Sequence, residues 1–175
     1  MKEFDFEISL IAVRAKQNAS PTTSAAAAAT TLFYPPCRNQ HINGILHQTT
    51  VPAIGVDAQV LRHAQAAMEK MMEIMQYEGV LCVEFFVLNT PAGQQMIANE
   101  MAPRPHNSGH WSMDGAVTSQ FENHLRAVLD WPLGSPAPTG PNTVMVNLLG
   151  KDIGDLHGAF RHVMARDPGI RVHLY

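Results

Sequence analysis

The chain is poor in lysine, in cysteine and in charge altogether. Its lysines are Lys2, Lys16, Lys70 and Lys151, and charged residues make up 15% of the 175 with a formal net charge of −3. So little cationic surface gives no footing for nucleic acid or for an anionic membrane. No apolar stretch approaches the length of a membrane-spanning helix, and the N-terminus lacks the order of a secretory leader. Cys37 and Cys82 are too few for a disulfide framework and read as reduced thiols, so a cytoplasmic location is expected. Cys82 falls in an apolar alternation and reads as packing. Nothing near Cys37 would clearly lower its pKa, which argues against a nucleophile. What is present is 46% hydrophobic, enough for a globular core at this length.

Phe4 to Arg14 alternates and then turns apolar, which predicts a strand. Residues 15–31 are Ala-, Ser- and Thr-rich, and five alanines are too few to hold a helix in water, so a low-complexity loop is expected there. Thr31–Tyr34 reads as a short strand stopped by Pro35 and Pro36. His41 follows in what reads as a loop, and Gly44–Pro52 as another strand. Asp57 to Gln76 is the clearest helix. Asp57 caps it, an apolar stripe runs from Val60 to Met75, and Gly79 is the expected stop. The methionines of that stripe read as core filling. Val80–Val87 and Gln94–Glu100 read as strands joined by a turn at Asn89–Gly93. This order predicts an antiparallel sheet covered by helices on one face, an α+β fold. Thr118–Leu129 is expected to be a second helix, with Phe121, Leu125, Val128 and Leu129 inward and Glu122, His124 and Arg126 outward. A Pro/Gly linker at 135–141 leads to a strand at 143–150, a helix at 156–164 and a strand at 171–175.

The chemistry gathers after the apolar strands. Centring the hairpin on Ala92 puts Glu84 opposite Glu100, and opposed residues share a face with Cβ atoms about 4.5–5.5 Å apart. A slip of one residue would separate them. Two carboxylates that close repel unless a cation lies between them, and hard oxygen ligands suit Mg²⁺. Asn99-Glu100-Met101-Ala102-Pro103-Arg104-Pro105-His106-Asn107-Ser108-Gly109-His110-Trp111 then packs an acid, a base, imidazoles, amides and a hydroxyl into a dozen positions. Its prolines exclude a helix across it, and polar loops leaving a strand end are where function usually sits.

At these residues the chain resembles 5-(carboxyamino)imidazole ribonucleotide synthase, an ATP-grasp enzyme. The likeness lies in Glu84 within Val83-Glu84-Phe85-Phe86, in the Asn99–Trp111 loop, and in Gly115-Ala116-Val117-Thr118-Ser119-Gln120-Phe121-Glu122-Asn123-His124-Leu125-Arg126. Asn39-Gln40-His41-Ile42-Asn43-Gly44-Ile45-Leu46 is similar to a further motif of that family. The likeness extends from about Phe4 to Tyr175 but covers only the later part of the family chain. It implies the C-terminal half of an ATP-grasp domain over residues 1–134, with 15–31 an inserted loop. The start of a small, truncated β-rich domain at 142–175 is also implied, so a cut piece, inactive alone, is expected. It further implies use of ATP and bicarbonate to carboxylate aminoimidazole ribonucleotide through carboxyphosphate in purine synthesis. Glu84, Glu100 and Asn99 would hold Mg²⁺, or Mn²⁺, on the ATP phosphates. Glu7 and His41, with Asn99 and Glu100, would contact the nucleotide. Arg104, His106, Asn107 and Ser108 would face bicarbonate, carboxyphosphate and the ribonucleotide. A homodimer is expected of the full-length enzyme. The rival readings are another ATP-grasp carboxylate–amine ligase and a non-catalytic remnant or interaction module.

Overall fold

The computed structural model describes residues 4–16, 30–150 and 154–174. Most of the inserted loop, Tyr175 and the lysines Lys2 and Lys151 lie outside the described residues. Seven antiparallel strands form one sheet: β1 (Phe6–Ala15), β2 (Thr30–Phe33), β3 (Cys37–Ile42), β4 (Ile45–Val51), β5 (Gly79–Thr90), β6 (Gly93–Ala102) and β7 (Thr143–Val146). Their order is β6-β5-β1-β3-β4-β7, and β2 pairs with β1 beside β3. β7, which follows the Pro/Gly stretch, is thus an edge strand of the same sheet, paired with β4. That stretch is itself tied to the body: Val117 and Thr118 donate to the carbonyls of Ala137 and Ser135.

The alternation of β1 builds two cores. Ile8, Leu10 and Ala12 point to one side with Leu81, Val83 and Val87 of β5, where α1 (Ala58–Ile74) covers them with Met68 and Met72. Ile11 and Val13 point to the other side with Val80 and Cys82, beneath Trp111 and Ala127 of the segment that carries α3 (Gln120–Val128). Helices therefore cover both faces, not one. The methionine stripe of α1 is core, as its spacing predicts, and Asp57 caps the helix by accepting from the amides of Gln59 and Val60. The helix ends earlier than the sequence suggests. Gln76 takes the left-handed conformation after it, and Gly79, at φ +121°, opens β5 instead.

Three local expectations fail. Cys37–Ile42 is a strand, not a loop: it lies between β1 and β4, and Cys37 and Asn39 alternate inward along it. Residues 171–174 form no strand. The third is α3, which faces the opposite way from its apolar pattern. Leu125, Val128 and Leu129 are exposed, whereas Gln120, Asn123 and Ala127 are buried. Asn123 explains the inversion. Its Nδ2 donates to the Tyr34 hydroxyl at 2.8 Å and to the Gly134 carbonyl at 3.1 Å, and its Oδ1 accepts from the Gly134 amide at 2.8 Å. A polar group so fully paired is stable inside, and stranding it would cost about 1–3 kcal/mol. His124 is also inward of its expected place, accepting the Val80 N–H on Nδ1 at 3.0 Å.

Candidate active site

The face of the sheet that holds Ile11 and Val13 changes character toward the other end of those strands. There the same alternation presents Glu7 and Ser9 on β1 and Glu84 on β5, with Ser9 paired to Glu84 across the ladder. Glu84 in turn pairs with Glu100 on β6, beside a register shift that leaves Asn99 without a partner. α3 covers the apolar half of the face, and the Arg104–His110 loop rests between the two halves. The acids occupy the half left open.

Glu84 is the most constrained of them. Its side chain is 13% exposed, and its Oε1 is buried without a hydrogen-bond partner among the described residues. Burial pushes its pKa up, with Glu100 and Glu7 adding to the rise and His41 opposing it. His106 Nε2 stands 3.9 Å from that oxygen, which is proximity and too long for a hydrogen bond. Burial, with Arg104 nearby, holds the His106 imidazole below its ordinary pKa, so the pair is not a fixed ion pair at neutral pH. The ring is held from its other nitrogen: Nδ1 shares a hydrogen bond with Ser108 Oγ at 2.8 Å. Ser108 is fully buried, with its Oγ 3.8 Å from Cys82 Sγ. Burial drives the Cys82 thiol up to about 12 and that of Cys37 higher still, so both are inert packing groups.

A second pair lies alongside. His41 Nδ1 bonds Glu7 Oε2, and both residues are among those that line an open cleft of about 430 Å³, most of whose lining, including Phe6, Arg38 and Gln48, belongs to the opposite face of the sheet. A shift of register between β3 and β4 falls immediately before His41 and sets its direction. Beneath the pair, Asn39 Nδ2 donates to Ser9 Oγ at 2.6 Å and Thr49 Oγ1 donates to Asn39 Oδ1 at 3.1 Å. That buried chain of hydrogen bonds fixes the three central strands at the depth of the carboxylates.

The predicted residues are therefore gathered unequally. Glu84, Glu100, His106 and Ser108 share one patch, and Glu7 and His41 border it. Asn99 and Arg104 are exposed at its rim, and the Arg104 guanidinium donates to the Pro105 carbonyl. Asn107 turns aside, its Oδ1 accepting from Asn147 Nδ2 at 3.2 Å. Asn147, which also donates to the Leu46 carbonyl, carried no signal in the sequence because its partners are 40 and 101 residues away. Ser9 is a further omission. Its position two residues after Glu7 on an alternating strand was the available clue. Among the described residues no group of three His, Cys, Asp or Glu side chains is disposed to enclose a metal. An orphaned buried carboxylate oxygen beside a second carboxylate does fit a hard cation that completes its shell with water and phosphate oxygens.

The open face of the antiparallel sheet thus carries paired acids on adjacent strands, followed by a polar loop. The chain belongs to the ATP-grasp family, whose ATP-grasp domain matches residues 1–121. Within it, the chain is 45% identical over 137 residues to an N5-carboxyaminoimidazole ribonucleotide synthase of Corynebacterium ammoniagenes, covering 76% of this chain and 33% of that protein. The N5-carboxyaminoimidazole ribonucleotide synthetase of Thermus thermophilus superposes with a TM-score of 0.74 at 45% identity, over 87% of this chain and 38% of that one. The Aspergillus clavatus N5-carboxyaminoimidazole synthase, solved with ADP and 5-aminoimidazole ribonucleotide, gives a TM-score of 0.77 at 29% identity, over 98% of this chain and 42% of that one. The chain spans between 29% and 39% of the length of the first curated relatives it matches. No helix among the described residues is long and apolar enough to cross a membrane.

Proposed function

We propose that this chain supplies the metal- and acyl-phosphate-handling part of an enzyme that carboxylates 5-aminoimidazole ribonucleotide with bicarbonate and ATP, in purine synthesis. The observation that carries the reading is Glu84. Its Oε1 is buried and unpaired between a second carboxylate and an imidazole. A folded protein retains so costly a group where a ligand completes it.

In this reading Glu84, Glu100 and Asn99 hold Mg²⁺ or Mn²⁺. The ion's contribution is to neutralise charge on the ATP phosphates. Glu7 and His41 face the nucleotide beside them. A bicarbonate oxygen attacks the γ-phosphorus, the bond to the β-phosphate oxygen breaks, and ADP leaves with carboxyphosphate formed. The exocyclic amine of the ribonucleotide then attacks the carboxyphosphate carbon. The carbon–oxygen bond to phosphorus breaks, inorganic phosphate departs and the amine loses a proton. Arg104, with its exposed guanidinium, suits the oxygen pair of an acyl phosphate. His106, its pKa lowered by burial and its ring steadied by Ser108, suits the hydrogen bond or proton at the amine. Asn107 and Ser108 set the loop against which the substrates lie.

The test is a hybrid in which these residues replace the matching portion of the Corynebacterium ammoniagenes relative. The hybrid is expected to form ADP and carboxylated product in step, and Glu84→Gln should abolish both. ATP-dependent ligation of some other carboxylate–amine pair, with none of this product, would reject the reading.

A further inference from the structure

Gln120 begins α3, yet it is wholly buried and turned toward the site loop. Its Oε1 accepts from the His106 N–H at 3.0 Å and its Nε2 donates to the His106 carbonyl at 2.6 Å. His106 is extended, at φ −121° and ψ 149°. In an antiparallel ladder an extended residue exchanges both its backbone groups with one partner. His106 leaves the sheet and has no such strand partner among the described residues; one carboxamide fills that place, while the Gly109 N–H also donates to the His106 carbonyl at 2.9 Å. The clamp is itself fixed. The Gln120 amide donates to Ser112 Oγ at 2.9 Å, and that hydroxyl donates to the Gly109 carbonyl at 2.6 Å. Gly109 allows the approach, since a Cβ there would lie 2.4 Å from Gln120 Oε1.

We propose that Gln120 is the positioning residue of His106: its carboxamide locks the backbone so that the imidazole is presented to Glu84. The proposal rests on the role given to His106 above. Only glutamine meets the requirement. Glutamate offers no donor to the carbonyl when ionised, asparagine is one methylene short, and methionine fills the volume with neither bond. The carboxamide bonds the His106 backbone and not its ring, so it acts on the reaction by positioning the loop.

Two measurements test it. In the 175-residue chain, Gln120→Met should speed amide hydrogen exchange at His106 by at least about tenfold while Leu10 and Leu81 in the sheet keep their protection. In the hybrid enzyme, Gln120→Met should lower carboxylation by about tenfold or more with the KM for ATP changed by less than about twofold, since small misplacements cost that much in rate. In a His106→Ala background the same change should add less than about twofold, as expected of residues acting as a unit. If Gln120→Met does not fold, Gln120→Leu, which also lacks both the acceptor and the donor, replaces it with the same expectations. Unchanged exchange at His106 overturns the clamp whatever the activity. Equal losses in the native and His106→Ala backgrounds, or a parallel rise in the KM for ATP, overturn the positioning role. Should His106→Ala by itself leave carboxylation intact, the proposed function fails instead, and the exchange measurement still judges the clamp.

Discussion

Glu84 and Glu100 stand opposite each other because Asn99 is an extra residue in β6. The hairpin turns on Pro91 and Ala92, with Thr90 paired to Gly93 and regular pairs continuing to Phe85 and Ala98. The next regular partner of Glu84 would be Asn99. The ladder passes over Asn99 and brings Glu100 into line with Glu84. Bulges of this kind re-aim side chains beside active sites. Here it keeps two acids adjacent and leaves an amide at their edge, a set of hard oxygen donors on two neighbouring strands.

That arrangement predicts a weak divalent-cation site in the chain by itself. Titration with Mn²⁺, followed by the loss of its free paramagnetic signal, should show binding that Glu84→Gln and Glu100→Gln each weaken by at least about tenfold. Even outer-shell partners of metal sites are worth that much. Affinity unchanged in both variants would remove the carboxylates from the site.

His124 predicts a slope of stability with pH. Burial lowers its pKa from 6.5, and its Nδ1 accepts the Val80 N–H, so the folded state requires the neutral ring. A base with a depressed folded pKa binds its proton more readily when unfolded. Its contribution is therefore complete above about pH 6.5 and is lost as the pH falls through the depressed value. Urea melts between about pH 7 and pH 5 should show falling stability that is flatter in His124→Gln. An identical slope in that variant would mean that other groups carry the dependence.

The inverted face of α3 gives opposite expectations for two neighbours. Leu125→Lys should change stability by less than about 0.5 kcal/mol, as surface substitutions do. Asn123→Leu should cost about 2 kcal/mol or more, because the Tyr34 hydroxyl and the Gly134 backbone lose their partner. Denaturant melts of the two variants decide it. A large loss from Leu125→Lys with little from Asn123→Leu would restore the apolar pattern as the guide to this helix.

Nucleotide affinity should be low in these 175 residues alone. Phosphoryl transfer needs cationic donors placed around the triphosphate before reaction. Lys16 pairs with Glu78 at 2.7 Å and Lys70 with Glu73 at 2.8 Å, so both described lysines are engaged with acids at the surface. Calorimetry with ATP and Mg²⁺ is expected to give no micromolar binding. A micromolar constant abolished by Glu100→Gln would show that the face described here suffices to hold the nucleotide.

Much of this was legible in the residues. The alternation of β1, the run around Glu84 and the stripe of α1 each depend on neighbours a few positions away, so period alone places them. The pairing of Glu84 with Glu100 was reached by centring the hairpin on Ala92. The structure reaches it by a two-residue turn and a bulge, a route that no local pattern announces. The strand at Cys37–Ile42 was missed because its stability comes from β1 and β4 on either side, and not from its own mixed polar sequence.

α3 marks the limit most clearly. Its apolar residues trace a stripe that would be buried in an ordinary amphipathic helix, and the sequence by itself determines that stripe and the helix. Which side faces inward was decided only when Tyr34, Gly134 and the His106 backbone came within reach of Asn123 and Gln120. Those partners lie between 11 and 89 residues away. Buried polar groups are satisfied there while three aliphatic side chains stay exposed, an arrangement that exists only in the assembled fold. The residue types capable of the chemistry were written in order along the chain. Their convergence on one half of one sheet face, with an imidazole aimed at an unpaired carboxylate oxygen, is a property of strand register and long-range hydrogen bonds.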